Sequence, residues 1–265
     1  TRDIAVGDLD GDLLPDMYLV NKDQQDQLLM NNGFAGPVEW YDDANRVGVG
    51  KFSFNTQHGF PELFDNTYDI RATDIDDDGD LDLIRANRYA KRLMVYTNDG
   101  DGNFYDETED RMPETEEEMA FHLNNVEIVD IDGDGDLDIA ENGWEYCAGY
   151  SAEVRRIRVF LNDGEGYYTE VNEANIPYSS DHSYLFLRAA DINGDGKQDL
   201  FAGGRHGSCY GWNARFMILI NGGDPFDEDS VYFFNQTTTW LTDLHKYAWD
   251  AAIVDFDGDG DVDMY

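Results

Sequence analysis

A nine-residue frame recurs five times in this chain, and any fold it adopts must offer equivalent places to all the copies. The fullest copy is Asp130-Ile131-Asp132-Gly133-Asp134-Gly135-Asp136-Leu137-Asp138, with carboxylates at positions 1, 3, 5 and 9 and glycine at position 6. Further copies start at Asp74, Asp191 and Asp255, and a looser one runs from Asp8 to Asp16, so the frame returns every 56 to 66 residues. Hard oxygen donors at alternate positions of a tight loop suit calcium, which takes six to eight oxygens at roughly 2.3–2.6 Å. Glycine at position 6 supplies the positive φ that such a turn requires. An EF-hand would also need Glu at position 12 and flanking helices. Position 12 is Arg85, Glu141 or Ala202 in three of the copies, and the flanks are glycine-rich or β-like. The frame therefore reads as a shorter loop, closed by its ninth residue, between two strands.

A second marker follows each of the first four loops. Leu28-Leu29-Met30-Asn31-Asn32-Gly33, Met94 to Gly100, Val159 to Gly164 and Ile218 to Gly223 each carry an apolar strand into an Asn/Asp-Gly turn, the strongest short-range hairpin signal. Each repeat thus reads as strand A, acidic loop, strand B, strand C, turn, strand D, with strand D plain at Gly102–Thr108 and Gly166–Glu170. Four antiparallel strands per repeat make one blade of a β-propeller. The expected fold is all-β, a single domain or a segment of one. Its repeats fall near 1–65, 66–121, 122–182, 183–246 and a partial 247–265. About four complete blades are present, against the six to eight, commonly seven, with which propellers of repeats resembling these close, so the expectation is a segment of a longer chain. Length differences place insertions at Gly36–Asp65, Asn142–Arg155 and Gly203–Ala214, all expected on the face opposite the loops.

Composition limits the partners. The 57 acidic and 18 basic residues give a formal charge of -39, which repels nucleic acid and anionic membranes. The 41% of hydrophobic and 14% of aromatic residues provide a substantial core. No apolar run approaches the roughly 20 residues needed to span a bilayer. The acidic excess reads as a salt-tolerant or an extracellular surface, and with the demand for calcium the expected location is secreted, extracellular or at the cell surface. Cys147 and Cys209 stand 17 and 18 residues after their loops' first aspartates, and matching positions in neighbouring blades predict a disulfide there.

The acidic frame joined to a Phe-Leu-Asn-x-Gly-x-Gly-x-Phe-like hairpin resembles the FG-GAP/VCBS repeats of integrin α-subunit propellers and related bacterial secreted proteins. The resemblance implies up to five Ca²⁺ and their ligands: Asp74, Asp76, Asp78 and Asp82 with the Asp80 carbonyl, and Asp130, Asp132, Asp134 and Asp138 with that of Asp136. The fourth set is Asp191, Asn193, Asp195 and Asp199 with the Lys197 carbonyl, and the fifth is Asp255, Asp257, Asp259 and Asp263 with that of Asp261. In the first loop Asp8, Asp10, Asp12 and Asp16 correspond, but Leu13 replaces the glycine.

No Gly-x-Ser-x-Gly, His-Glu-x-x-His or phosphate-cradling glycine motif occurs, so no catalytic residue is assigned. His122, His182 and His245 precede strand A at similar offsets and read as structural. Trp144, Tyr146, Tyr150, Tyr210 and Trp212 are expected on the insertion face, where amphipathic rings serve protein or glycan recognition. A calcium-stabilised binding or structural module is the leading expectation. A propeller-based polysaccharide lyase or hydrolase is the alternative.

Overall fold

The computed structural model describes residues 1–21, 26–33, 52–54, 67–87, 92–113, 121–145, 157–177, 184–208, 211–223, 231–241, 248 and 250–265. The chain is all-β, built as consecutive antiparallel sheets, each formed by its own stretch of sequence. The first sheet holds β1 (Asp3–Gly7), β2 (Asp16–Val20), β3 (Gln27–Asn31) and β4 (Phe52–Phe54), and the second β5 (Thr67–Thr73), β6 (Asp82–Asn87), β7 (Arg92–Asn98) and β8 (Phe104–Asp106). The third holds β9 (Phe121–Val129), β10 (Asp138–Glu145), β11 (Ile157–Asn162) and β12 (Tyr168–Glu170), and the fourth β13 (Phe186–Ala190), β14 (Asp199–Ser208), β15 (Gly211–Asn221) and β16 (Phe233–Asn235). The hairpin β17 (Ile253–Val254) and β18 (Asp263–Met264) encloses the fifth loop.

Alternation along the pleat explains the stacking. Successive side chains of a strand point to opposite faces, so a middle strand between two neighbouring sheets must be apolar on both. In β6, Leu83 joins Ala5, Tyr18, Val20 and Met30 of the first sheet, whereas the next residue, Ile84, joins Val126, Ile139 and Phe160 of the third. Leu200 and Phe201 in β14 divide in the same way between the third sheet's core and the β17–β18 hairpin. The second, third and fourth sheets thereby bury one face against the preceding sheet and the other against the following one.

Three expectations require correction. The first repeat's fourth strand is β4, deep inside the 36–65 insertion, where Phe54 pairs with Leu29. The insertion is therefore divided between the β3–β4 and β4–β5 connections. Nor is Gly203–Ala214 a long loop: β14 and β15 extend as one ladder from Leu200↔Leu219 to Ser208↔Gly211. The extra length lies in paired strands because the partner strand is a few residues away and the hairpin zips without a large closure cost. Likewise β10 runs on to Glu145, with a register shift at Asn142/Gly143. Single helical turns, α1 (Thr108–Arg111) and α2 (Thr237–Trp240), follow the fourth strands. Thr108 and Thr237 begin them, each receiving an amide hydrogen bond on its hydroxyl, from Val95 and Ile218 respectively.

Candidate metal centres

Each acidic loop joins the first two strands of a sheet and is braced by its own carboxylates. The amide of position 6 donates to the first aspartate: Leu13 to Asp8 Oδ2 at 2.8 Å, Gly79 to Asp74 Oδ2 at 3.0 Å, Gly135 to Asp130 Oδ2 at 3.2 Å, Gly196 to Asp191 Oδ2 at 2.8 Å and Gly260 to Asp255 Oδ2 at 3.0 Å. The amides of Leu14, Asp80, Asp136, Lys197 and Asp261 donate to the side chains of Asp12, Asp78, Asp134, Asp195 and Asp259, two residues back. Position 6 has φ near +97° at Gly79 and +104° at Gly135, while a Cβ added at either would meet nothing within 4 Å. The glycine serves backbone conformation alone. Leu13 adopts φ of 67° at the same place, so the first loop keeps the shared shape at the cost of a strained leucine.

The closing aspartate brackets the loop. Asp16, Asp82, Asp138 and Asp199 are all fully buried. In each, Oδ2 accepts the amide of loop position 2 (Leu9, Ile75, Ile131, Ile192; 2.7 to 3.0 Å), and Oδ1 accepts the amide of the hairpin asparagine (Asn31, Asn98, Asn162, Asn221; 2.6 to 2.8 Å). Burial pushes Asp82 and Asp138 up to about 7 and Asp132 to about 6, and raises Asp16 and Asp199. Gathering like charges in a desolvated loop has that effect until a cation enters.

Positions 1, 3 and 9 converge in the first three loops. Ligand atoms of Asp8, Asp10 and Asp16, of Asp74, Asp76 and Asp82, and of Asp130, Asp132 and Asp138 lie within 4.8 Å of one another, as do those of Asp255, Asp257 and Asp259. Asp8 Oδ1, Asp74 Oδ1 and Asp76 Oδ1 are buried without a hydrogen-bond partner. Unpaired buried carboxylate oxygens converging in a loop of hard donors fit a divalent cation such as calcium. The fourth loop differs: Asn193 donates its Nδ2 to Asp195 Oδ2 at 2.9 Å, and no such carboxylate cluster forms there among the described residues.

Around the loops, the sequence reading missed two features. One is the hairpin asparagine, which sequence assigns to turn chemistry but whose side chain reaches the neighbouring sheet's loop. The other is a charged seam along the first strands: Arg71 pairs with Asp3, Asp69 and Glu127, and Arg188 with Glu127 and Asp250. Arg71, Glu127 and Arg188 each stand three residues before a loop's first aspartate, and that shared offset with alternating sign was the available signal. Trp144 lies near the end of β10 and Trp212 near the start of β15. Tyr146, Tyr150 and Tyr210, like Cys147 and Cys209, lie outside the described residues.

The geometry defines a class: a tandem-repeat all-β protein whose sheets each carry an acidic loop between their first two strands. An FG-GAP-like repeat profile matches residues 74–140 and 144–202, and the chain contains FG-GAP-like repeats. No curated protein sequence matches it. Among solved structures, an Agrocybe aegerita lectin, described for its specific recognition of non-reducing terminal N-acetylglucosamine, shares 18% identity at a TM-score of 0.48, over 98% of this chain and 59% of the lectin. The V. cholerae biofilm matrix protein Bap1 shares 14% identity at a TM-score of 0.42, over 95% of this chain and 40% of that protein. The chain therefore spans less than two thirds of either structure.

Proposed function

We propose that the sheets are blades of a β-propeller whose loops bind calcium and whose opposite end binds a protein or carbohydrate outside the cell. The unpaired oxygens of Asp8, Asp74 and Asp76 carry the calcium reading. The ligand sets are the side chains at positions 1, 3, 5 and 9 with the position-7 carbonyl. Calcium supplies the positive charge that lets these carboxylates remain ionised and close together. The chain supplies donors already oriented by the amide hydrogen bonds above, and the buried ninth aspartate carries the loop's position to the hairpin.

The first strands β1, β5, β9 and β13 adjoin one another in order, as blades around an axis would, which supports the propeller. Strand direction supports the binding end. Residues Asp138 and Asp199, beside the loops, begin β10 and β14, whereas Trp144 and Trp212 sit at the far ends of the same sheets. Their neighbours Tyr146, Tyr150 and Tyr210 extend that surface in sequence, and a Cys147–Cys209 bond would tie the two connections together. Intact mass before and after reduction tests the bond by a shift of about two daltons.

Binding to a panel of glycans and matrix proteins, with and without calcium, tests the module. Trp144→Ala with Trp212→Ala is expected to weaken binding and leave calcium-dependent melting unchanged. Retained binding overturns the surface assignment, and chemical turnover of a polysaccharide would replace the module by an enzyme.

A further inference from the structure

Hydrogen bonds link the acidic loops of successive sheets into one continuous run. In the third sheet, Asp138 Oδ1 accepts the Asn162 amide at 2.8 Å, and Asn162 Nδ2 donates to the Ile75 carbonyl of the preceding loop at 2.8 Å. The Ile75 amide donates to Asp82 Oδ2 at 3.0 Å, and Asp82 Oδ1 accepts the Asn98 amide at 2.8 Å. Asn98 Nδ2 then reaches the Leu9 carbonyl at 3.1 Å, and the Leu9 amide reaches Asp16 Oδ2 at 2.9 Å. Upstream, Asn221 connects Asp199 to the Ile131 carbonyl, and the Ile131 amide returns to Asp138. All of these asparagines are buried, as are Leu9, Ile75 and Ile131. The second hairpin glycines seat the contact: a Cβ at Gly102 would fall 3.3 Å from the Leu9 carbonyl, and one at Gly166 would fall 3.2 Å from Asp76 Cβ.

We infer that Asn98, Asn162 and Asn221 are positioning residues that couple cation binding between adjacent loops. This rests on the calcium reading above. Each asparagine holds the closing carboxylate of its own loop through its amide and position 2 of the preceding loop through its side chain. Position 2 lies between the first and third ligands, and its amide returns to the preceding loop's own closing carboxylate. Ordering one loop therefore fixes the peptide from which its neighbour's ligands project. Groups buried in low dielectric make such bonds costly to leave unmade, so a loop that closes favours closure next door. Coupling of this kind is reciprocal.

Asn162→Asp removes the side-chain donor, and with it the bonds to the Ile75 carbonyl of the preceding loop and to the Leu137 carbonyl of its own loop, but keeps the oxygen that accepts the Gly164 and Gly166 amides in the turn. Asn103→Asp adds the same charge in the hairpin of the second repeat, where the Asn103 side chain donates to Asp99, and serves as the control. Calcium titration of the 265-residue chain by calorimetry is expected to be steep. Asn162→Asp should flatten it and raise the midpoint about fivefold or more, with far-UV circular dichroism in saturating calcium unchanged, while Asn103→Asp leaves the steepness intact. Equal steepness in Asn162→Asp and the parent overturns the coupling. A parent chain that takes up no calcium overturns the calcium reading, a distinct result. Should Asn162→Asp fail to fold, amide exchange in the unsubstituted chain decides. Protection of Leu9, Ile75 and Ile131 at one calcium concentration supports the coupling, and protection at separate concentrations overturns it.

Discussion

Leu13 is the residue at which the repeat departs most from its own rule. It holds φ of 67° with its side chain 87% exposed, so the strain buys no burial. A left-handed conformation costs an L-residue roughly 1–2 kcal/mol, partly offset in glycine by its larger unfolded-state entropy. Leu13→Gly is expected to stabilise the chain by about 1 kcal/mol in denaturant unfolding; a lower midpoint would mean that the leucine makes a contact that matters. Three carboxyls give a second residue-scale expectation. Burial raises Asp69, Asp82 and Asp138 from 3.8 to about 7. A folded-state pKa above the unfolded one means that the folded chain binds the extra proton, so without calcium their contribution to stability grows as pH falls through about 7 toward 3.8. Calcium requires Asp82 and Asp138 ionised, so with the ion bound the dependence reverses and stability is lost on acidification. Melting at about pH 5.5 and 7.5, in chelated and in calcium-containing buffer, should give slopes of opposite sign. Slopes of one sign would remove these carboxyls from the ion's surroundings.

At the scale of the element, the loops carry the largest expected effect. Two carboxylates at 4 Å repel by about 1–4 kcal/mol, depending on the local dielectric, and several meet in each cluster. With Kd near about 10⁻⁴ M, about 10 mM calcium contributes roughly 2.7 kcal/mol per site. Chelation should therefore lower the melting temperature sharply, and an unchanged midpoint in EGTA would sink the assignment. Loops and middle strands were legible in the sequence because both are local patterns: oxygen donors at fixed spacing, and apolar runs such as Leu83-Ile84 that must face two sheets. β4 was not, because three residues, Phe52-Ser53-Phe54, carry no period and pair with Leu29–Asn31 across a long connection. The side-chain reach of Asn162 to Ile75 was illegible for a related reason, the partner lying 87 residues away. Arg85 was also missed. It is fully buried and paired with Asp26 Oδ2 at 2.5 Å, beside Thr67 and Tyr96, joining the first sheet's β2–β3 turn to the second sheet. Removing one member of a buried pair leaves the other uncompensated. Asp26→Ala should accordingly cost about 3 kcal/mol or more in urea unfolding, and a loss below about 1 kcal/mol would show that Arg85 finds its compensation elsewhere.

For the whole molecule, the question is whether consecutive sheets melt as one body or one at a time. Stability in a tandem array is approximately a sum of repeat and interface terms, so cooperativity depends on what crosses the interfaces. The apolar clusters, the asparagine run, the charged seam and the buried Arg85–Asp26 pair all cross them. Glu127 is the hinge of the seam, since its Oε1 meets Arg188 Nη1 at 2.8 Å and Arg71 Nη2 at 3.8 Å, and so ties the second, third and fourth sheets. Burial raises its pKa, opposed by both arginines, which marks it as a partly desolvated charge held by its neighbours. Glu127→Leu keeps an apolar stem at the site but leaves two guanidinium groups facing each other without the shared anion. Its side chain is 19% exposed, so solvent screening reduces the fully buried cost to roughly 1–3 kcal/mol. That loss is confined to the interfaces and leaves each sheet's own hydrogen bonds intact. In saturating calcium the parent chain should unfold in a single denaturant transition with coincident fluorescence and far-UV signals. Glu127→Leu should separate the two probes, with the first two sheets and the last ones losing structure at different denaturant concentrations. A variant that keeps one coincident transition would show that the other contacts between sheets make the array cooperative without the seam's shared anion.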